Sequence, residues 1–172
     1  MGDFTSREDE EFFAAIGRLA VAWGHVELGI DGLVLFFYRS GDGARLEPEM
    51  PRALKRKIAF LRKAIKSMPL GDDAFKGYDR LFSRIQQASE LRHDIIHGAI
   101  IEQAQGSGSA KLIRAIRHGD GFSEREVTAT TASILEATNE ATELGGRLLS
   151  IVNQAYDLLR EPSQQLDAQK PS

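Results

Sequence analysis

The chain has 172 residues, is 42% hydrophobic and 27% charged, and contains no cysteine. That length fits one domain of ordinary size, able to bury about 70% of the surface its unfolded form exposes, and the apolar fraction is too high for a disordered chain. Lack of cysteine excludes disulfides, thiolate metal sites and cysteine nucleophiles, and with 22 Lys and Arg against 25 Asp and Glu any nucleic-acid binding must come from a local patch.

The N-terminal MGDFTSREDEE is acidic where a secretory leader is basic. The longest uninterrupted apolar run, residues 32–38, is far short of the ~18 residues of a membrane span. A cytoplasmic protein without a membrane segment is expected. Overlapping caps, Thr5-x-x-Glu8 and Ser6-x-x-Asp9, open a first helix over residues 8–38. Phe12, Ile16, Leu19, Trp23, Val26, Ile30, Leu33 and Phe37 alternate steps of four and three, which makes one apolar seam. Gly17, Gly24, Gly29 and Gly32 lie inside it, each at a cost of about 1 kcal/mol relative to alanine, and predict the close approach of another backbone.

A second helix is predicted from near Pro51, a first-turn proline, with Leu54, Ile58, Leu61 and Ile65 on one side. After a loop that ends in an Asp cap at 72–73, a third helix runs to Gly98 as a left-handed C-cap. Residues 99–105 and 110–117 read as strands around the flexible Gly106-Ser-Gly-Ser109, and 122–130 as a third extended piece. The last helix starts between Thr130 and Ser133, with Ser133-x-x-Glu136 as its capping box, and stops before Pro162. Its seam is Ile134, Thr138, Ala141, Gly145, Leu148, Val152, Ala155 and Leu159. The expected fold is mainly α: an antiparallel up-down bundle of four main helices with a small β-hairpin after the third helix, one domain over 1–162, and a disordered tail over 163–172.

The chemically informative stretch is Glu90-Leu-Arg-His-Asp-Ile-Ile-His-Gly98. On a helical wheel with Phe75 at zero, Arg92 falls in the middle of the apolar stripe formed by Tyr78, Leu81, Phe82, Ile85, Ala88, Ile95 and Ile96. His93 and His97, four apart, stack at the stripe's edge, and Glu90 and Asp94 point beyond it toward solvent. A guanidinium aimed into a core is costly unless paired. Either Arg92 has an acidic partner, with Glu27 near Trp23 the candidate, or the stripe ends in a cleft.

Arg92-His-Asp-Ile-Ile-His97 resembles the R-x4–6-H motif of the HEPN superfamily of helical-bundle proteins. Gly98, the Trp23-x-x-x-Glu27 element and the basic second helix are also similar to its small bacterial members. The resemblance implies an antiparallel homodimer whose motifs face each other and act as a metal-independent endoribonuclease, without a cofactor. On that likeness His97 transfers protons, Arg92 holds the phosphate, and His93 orients the substrate or the partner histidine. Trp23, Glu27 and Asp94 give structural support. A toxin or host-defence role with a cognate antitoxin protein follows from the same likeness, as does a non-catalytic dimerisation or partner-binding module.

Other readings use the same residues. His97 in a last helical turn interacts favourably with the helix dipole without any catalysis. His93-Asp-Ile-Ile-His97 mimics H-E-x-x-H, a metal-dependent hydrolase whose third ligand would be His118 or a distant carboxylate. A di-iron bundle needs two Glu-x-x-His motifs, and Glu90 to His93 is the only one. The second helix carries Arg52, Lys55, Arg56, Lys57, Arg62, Lys63 and Lys66 with no acid between Pro51 and Ser67. Such a run is either a solvated face, a contact to RNA phosphates, or a dock for the acidic Glu8–Glu11 stretch of another subunit.

Overall fold

Apolar residues spaced by fours and threes demand a helix with one buried side, and they form α1 (Arg7–Ser40). The structure, a computed structural model, describes residues 6–40 and 43–167, the side chains of 159–167 excepted. Along α1, Phe12, Leu19, Trp23, Val26, Ile30 and Leu33 are at most 1% exposed. Asp9 N donates to Ser6 Oγ at 3.2 Å and the hydroxyl donates to Asp9 Oδ2 at 2.7 Å, so the Ser6–Asp9 cap forms. Thr5, of the overlapping cap, lies outside the described residues. Among the described residues only α1 is long and apolar enough to cross a membrane, and 44% of its most apolar window is buried within the protein.

There follow α2 (Gly43–Leu46), α3 (Leu54–Lys66), α4 (Asp72–His97), β1 (Ala99–Gln103), β2 (Ser109–His118), β3 (Gly121–Thr130) and α5 (Thr131–Asp167). The fold is mainly α with an antiparallel sheet in the order β1-β2-β3, so the expected hairpin is completed to three strands. A bulge near Ile101 interrupts the β1–β2 register. The inward positions Ala110, Leu112 and Ala129 are at most 3% exposed.

Several boundaries differ from the expectation for local reasons. α3 begins at Leu54 behind an extended Ala53, while Pro51 is buried in the preceding loop instead of opening the helix. Gly98 is not left-handed; the glycines with positive φ are Gly106, Gly108 and Gly119. Glycine is needed at 98 for space, because a Cβ there would stand 2.3 Å from Asp94 O and 3.1 Å from Leu112 Cβ. The cap of α5 is Thr130 with Ser133: Thr130 N donates to Ser133 Oγ at 3.0 Å and Ser133 N to Thr130 Oγ1 at 3.1 Å. The α5 backbone continues past Pro162 to Asp167, so one missing amide donor does not end it, and helix replaces the first half of the expected tail. Residues 168–172 lie outside the described residues.

The chain divides into two compact units, one of residues 1–24 and 84–143, the other of 25–83 and 144–172. The first is cored by Phe12, Leu19, Trp23, Ile85, Ile95, Leu112 and Ile134. The second is cored by Val26, Ile30, Leu33, Ile58, Phe60, Leu61, Phe82 and Leu148. In the second unit α1 meets α5 at glycines from both sides. A Cβ at Gly29 would be 2.5 Å from Leu148 Cβ, and one at Gly145 would be 2.9 Å from His25 Cβ. Gly17 and Gly24 have nothing within 4 Å of that position, so the close approach expected of all four α1 glycines holds for Gly29 and Gly32 only.

Candidate functional site

The last two turns of α4 present Arg92, His93, Asp94 and His97 within the first unit. Arg92 leaves the helix among buried Ile85 and Ile95, as the wheel requires, and is half-buried. Its guanidinium lies 5.8 Å from the centre of the Trp23 ring, which is 1% exposed. A cation over an indole face is attracted by the ring quadrupole, and that contact satisfies part of what burial takes from it. The tip of the side chain reaches His97, with Arg92 Nη1 3.1 Å from Nε2 of the exposed imidazole.

That contact fixes a protonation state. A guanidinium has five donors and no acceptor, so the imidazole must accept. His97 is therefore neutral in this arrangement, with its proton on Nδ1 and its Nε2 lone pair toward the arginine. His93 is oriented differently. Its Nδ1 lies 2.7 Å from Ser89 O and donates to it, while the two rings stack with centroids 5.4 Å apart. Glu27, the expected partner of Arg92, is exposed on α1 one turn beyond Trp23.

Asp94 corrects the reading that it points to solvent: it is 1% exposed. The sheet packs on that side of α4 and brings two arginines to it. Asp94 Oδ1 is 2.9 Å from Arg114 Nε, and Oδ2 is 3.1 Å from Arg125 Nε. Both are oblique charge contacts, since neither oxygen receives a linear hydrogen bond. Arg114 and Arg125 were not among the candidate residues. The signal was available, because an arginine in register with inward Ala110 and Leu112 demands a buried acid.

The metal readings lose their third ligand. Among the described residues no three of His, Asp or Glu converge as a metal would require. His97 Nε2 faces Arg92, Asp94 faces arginines, and His118 is 2.8 Å from Ser123 Oγ on the β2–β3 hairpin.

The basic helix α3 lies in the second unit, and most of its charge is answered there. Arg56 pairs with Glu47, and Lys63 approaches the same carboxylate at 3.5 Å. The hydrogen bond from Arg56 holds the Glu47 carboxyl below its ordinary range and raises Arg56 in turn. Lys57 pairs with Asp31, and Arg62 Nε lies 2.7 Å from Asp79 Oδ1. Arg52, which precedes α3 instead of lying on it as expected, and Lys55 and Lys66 are exposed and have no ion pair among the described residues. Arg52 and Lys57 line a cleft of about 790 Å³ with Asp31, Val34, Tyr38 and Met50.

Comparisons of the chain with protein-family models, curated proteins and solved structures give no match.

Proposed function

We propose that the protein is a HEPN-like, metal-independent endoribonuclease whose reacting groups are Arg92 and His97. The observation that carries this reading is the guanidinium placed 3.1 Å from Nε2 of a solvent-exposed imidazole. In the reaction His97 Nε2 takes the proton of the RNA 2′-OH and the 2′-oxygen bonds to phosphorus. The P–O5′ bond breaks, and an imidazolium returns a proton to the leaving oxygen. Arg92 turns from the ring to the phosphate and offsets the charge that builds on the equatorial oxygens. A proton-transferring imidazole is worth typically 10²–10⁴-fold. One imidazole cannot serve both sides of the phosphorus, so a two-fold homodimer supplies the second, with His93 orienting substrate or partner. The wider reading is a cytoplasmic up-down bundle that acts as a toxin or defence effector under a cognate antitoxin protein.

The test is RNA cleavage in EDTA by wild type, Arg92→Ala and His97→Ala, with circular dichroism to show that each variant folds. The proposal expects wild type to cut and each variant to lose about 10²-fold or more. Folded variants that cut as fast as wild type would refute it.

A second reading, a partner-binding module of the same fold, is favoured by charge. The unit that holds Arg92 and His97 has eight Lys and Arg against fourteen Asp and Glu. A net-acidic unit repels a polyanion at long range. This reading predicts no cleavage in EDTA and tolerance of His97 substitution.

A further inference from the structure

Arg114 and Arg125 stand directly opposite each other on β2 and β3, an arrangement that like charges disfavour. Asp94 holds them there, with one carboxylate oxygen against the Nε of each guanidinium. A single buried carboxylate answers one of the two positive charges. Among the described residues the other is met only by Glu90, one turn earlier on α4. Glu90 Oε2 lies 3.5 Å from Arg114 Nη2 and 3.6 Å from Arg125 Nη1, and its side chain is 62% exposed. Charge-assisted N–H···O bonds close to about 2.7–2.9 Å, so this second carboxylate is loosely held.

We infer that the Arg114–Arg125 pair is a binding site for an oxyanion of the phosphate class, and that Glu90 is an internal carboxylate which an incoming phosphate displaces. The base of the site is built: Asp94 is 98% buried by the strands, and Arg114 is only 17% exposed, so little side-chain freedom remains to be lost on binding. Arg125, 45% exposed, is the open side. A phosphate offers separate oxygens to the two guanidiniums, where Glu90 shares one oxygen between them. Displacing Glu90 leaves the two arginines and Asp94 with one net positive charge, which suits an anion. The inference rests on the ribonuclease reading only for the ligand's source. A phosphodiester backbone is the source if RNA is the substrate; otherwise it is free phosphate or a phosphomonoester.

Calorimetric titration of the full chain with inorganic phosphate, and separately with a diribonucleoside phosphodiester, tests this at constant ionic strength in chloride. Wild type, Glu90→Gln and Arg125→Gln are compared, all also in a His97→Ala background. Glu90→Gln is expected to bind phosphate about three- to fivefold more tightly, because it keeps the shape and removes the competing charge. Arg125→Gln is expected to bind at least about tenfold more weakly. A diester that follows the same pattern identifies a nucleic-acid backbone, and a pattern confined to inorganic phosphate identifies a free or terminal phosphate. Glu90→Gln binding no tighter than wild type, or Arg125→Gln binding equally well, overturns the inference. Because the His97→Ala series reads binding alone, a protein that never cuts RNA but shows both shifts would sink the nuclease proposal and leave this site standing.

Discussion

Gly29→Ala should destabilise the protein, while Gly17→Ala and Gly24→Ala stabilise it. In an exposed helix interior alanine is better than glycine by about 1 kcal/mol. Gly17 and Gly24 have nothing within 4 Å of the missing Cβ, so they should gain most of that. For a chain of this size such a gain raises Tm by about 2–4 °C. At Gly29 the new methyl would stand 2.5 Å from Leu148 Cβ, where ordinary contact begins near 3.4 Å. α1 and α5 would have to part by about 1 Å, and overpacking of that kind costs about 1–3 kcal/mol. Offset by the helix gain, the net loss is up to about 2 kcal/mol, and Tm falls by several degrees. Leu148→Ala should not rescue the variant, because the obstructing atom is the Cβ that alanine keeps. Thermal and urea unfolding of the three variants at low concentration reads the ordering directly. Gly29→Ala as stable as Gly17→Ala would refute the glycine crossing of α1 and α5.

Three further outcomes follow from the same geometry. Arg84 forms paired hydrogen bonds to both Glu140 and Glu143 at 2.8–3.0 Å, so Arg84→Gln should cost about 1 kcal/mol at low salt and less in 1 M NaCl, as denaturation at both salt concentrations will show. Asp9 is held below its ordinary value of 3.8, first by the Ser6 hydroxyl and then by Gly106 N and Gln103 against the opposing effect of burial. Its contribution is present above that value and lost as pH falls through the lower folded one. The stability gap between wild type and Asp9→Asn should therefore be constant near neutrality and shrink below about pH 4 in pH-dependent unfolding. Finally, nitrogen-15 NMR of the imidazoles should find neutral His97 with its proton on Nδ1, and a His97 protonated on Nε2 in wild type would contradict the Arg92 contact.

The helices were readable because their burial is periodic. The α1 seam, the inward Arg92 and the stacked His93 and His97 follow from spacing alone. What sequence spacing could not supply was which other element covers a given side of a helix. Asp94 looked solvent-bound because α4 was considered without its sheet, and Gly98 looked like a cap because glycine after a helix commonly is one. Gly98 instead leaves room for the Asp94 carbonyl one turn back and for Leu112, fourteen residues away in the chain. The basic helix was legible as a charge run, yet Glu47, Asp31 and Asp79, which answer it, come from outside that helix. The Arg114–Arg125 pair depended on strand register, which the sequence leaves open until the turn geometry is known.

The most direct measurement of the central claim is the chemistry of the cut ends. Wild-type protein in EDTA is incubated with a defined oligoribonucleotide, and the fragments are weighed by mass spectrometry. Attack by the 2′-oxygen predicts 2′,3′-cyclic phosphate and 5′-hydroxyl ends, with 2′-deoxy substitution at the cut nucleotide abolishing cleavage. Intact RNA, or fragments ending in 3′-hydroxyl and 5′-phosphate, would contradict a 2′-OH reaction driven by His97 and Arg92.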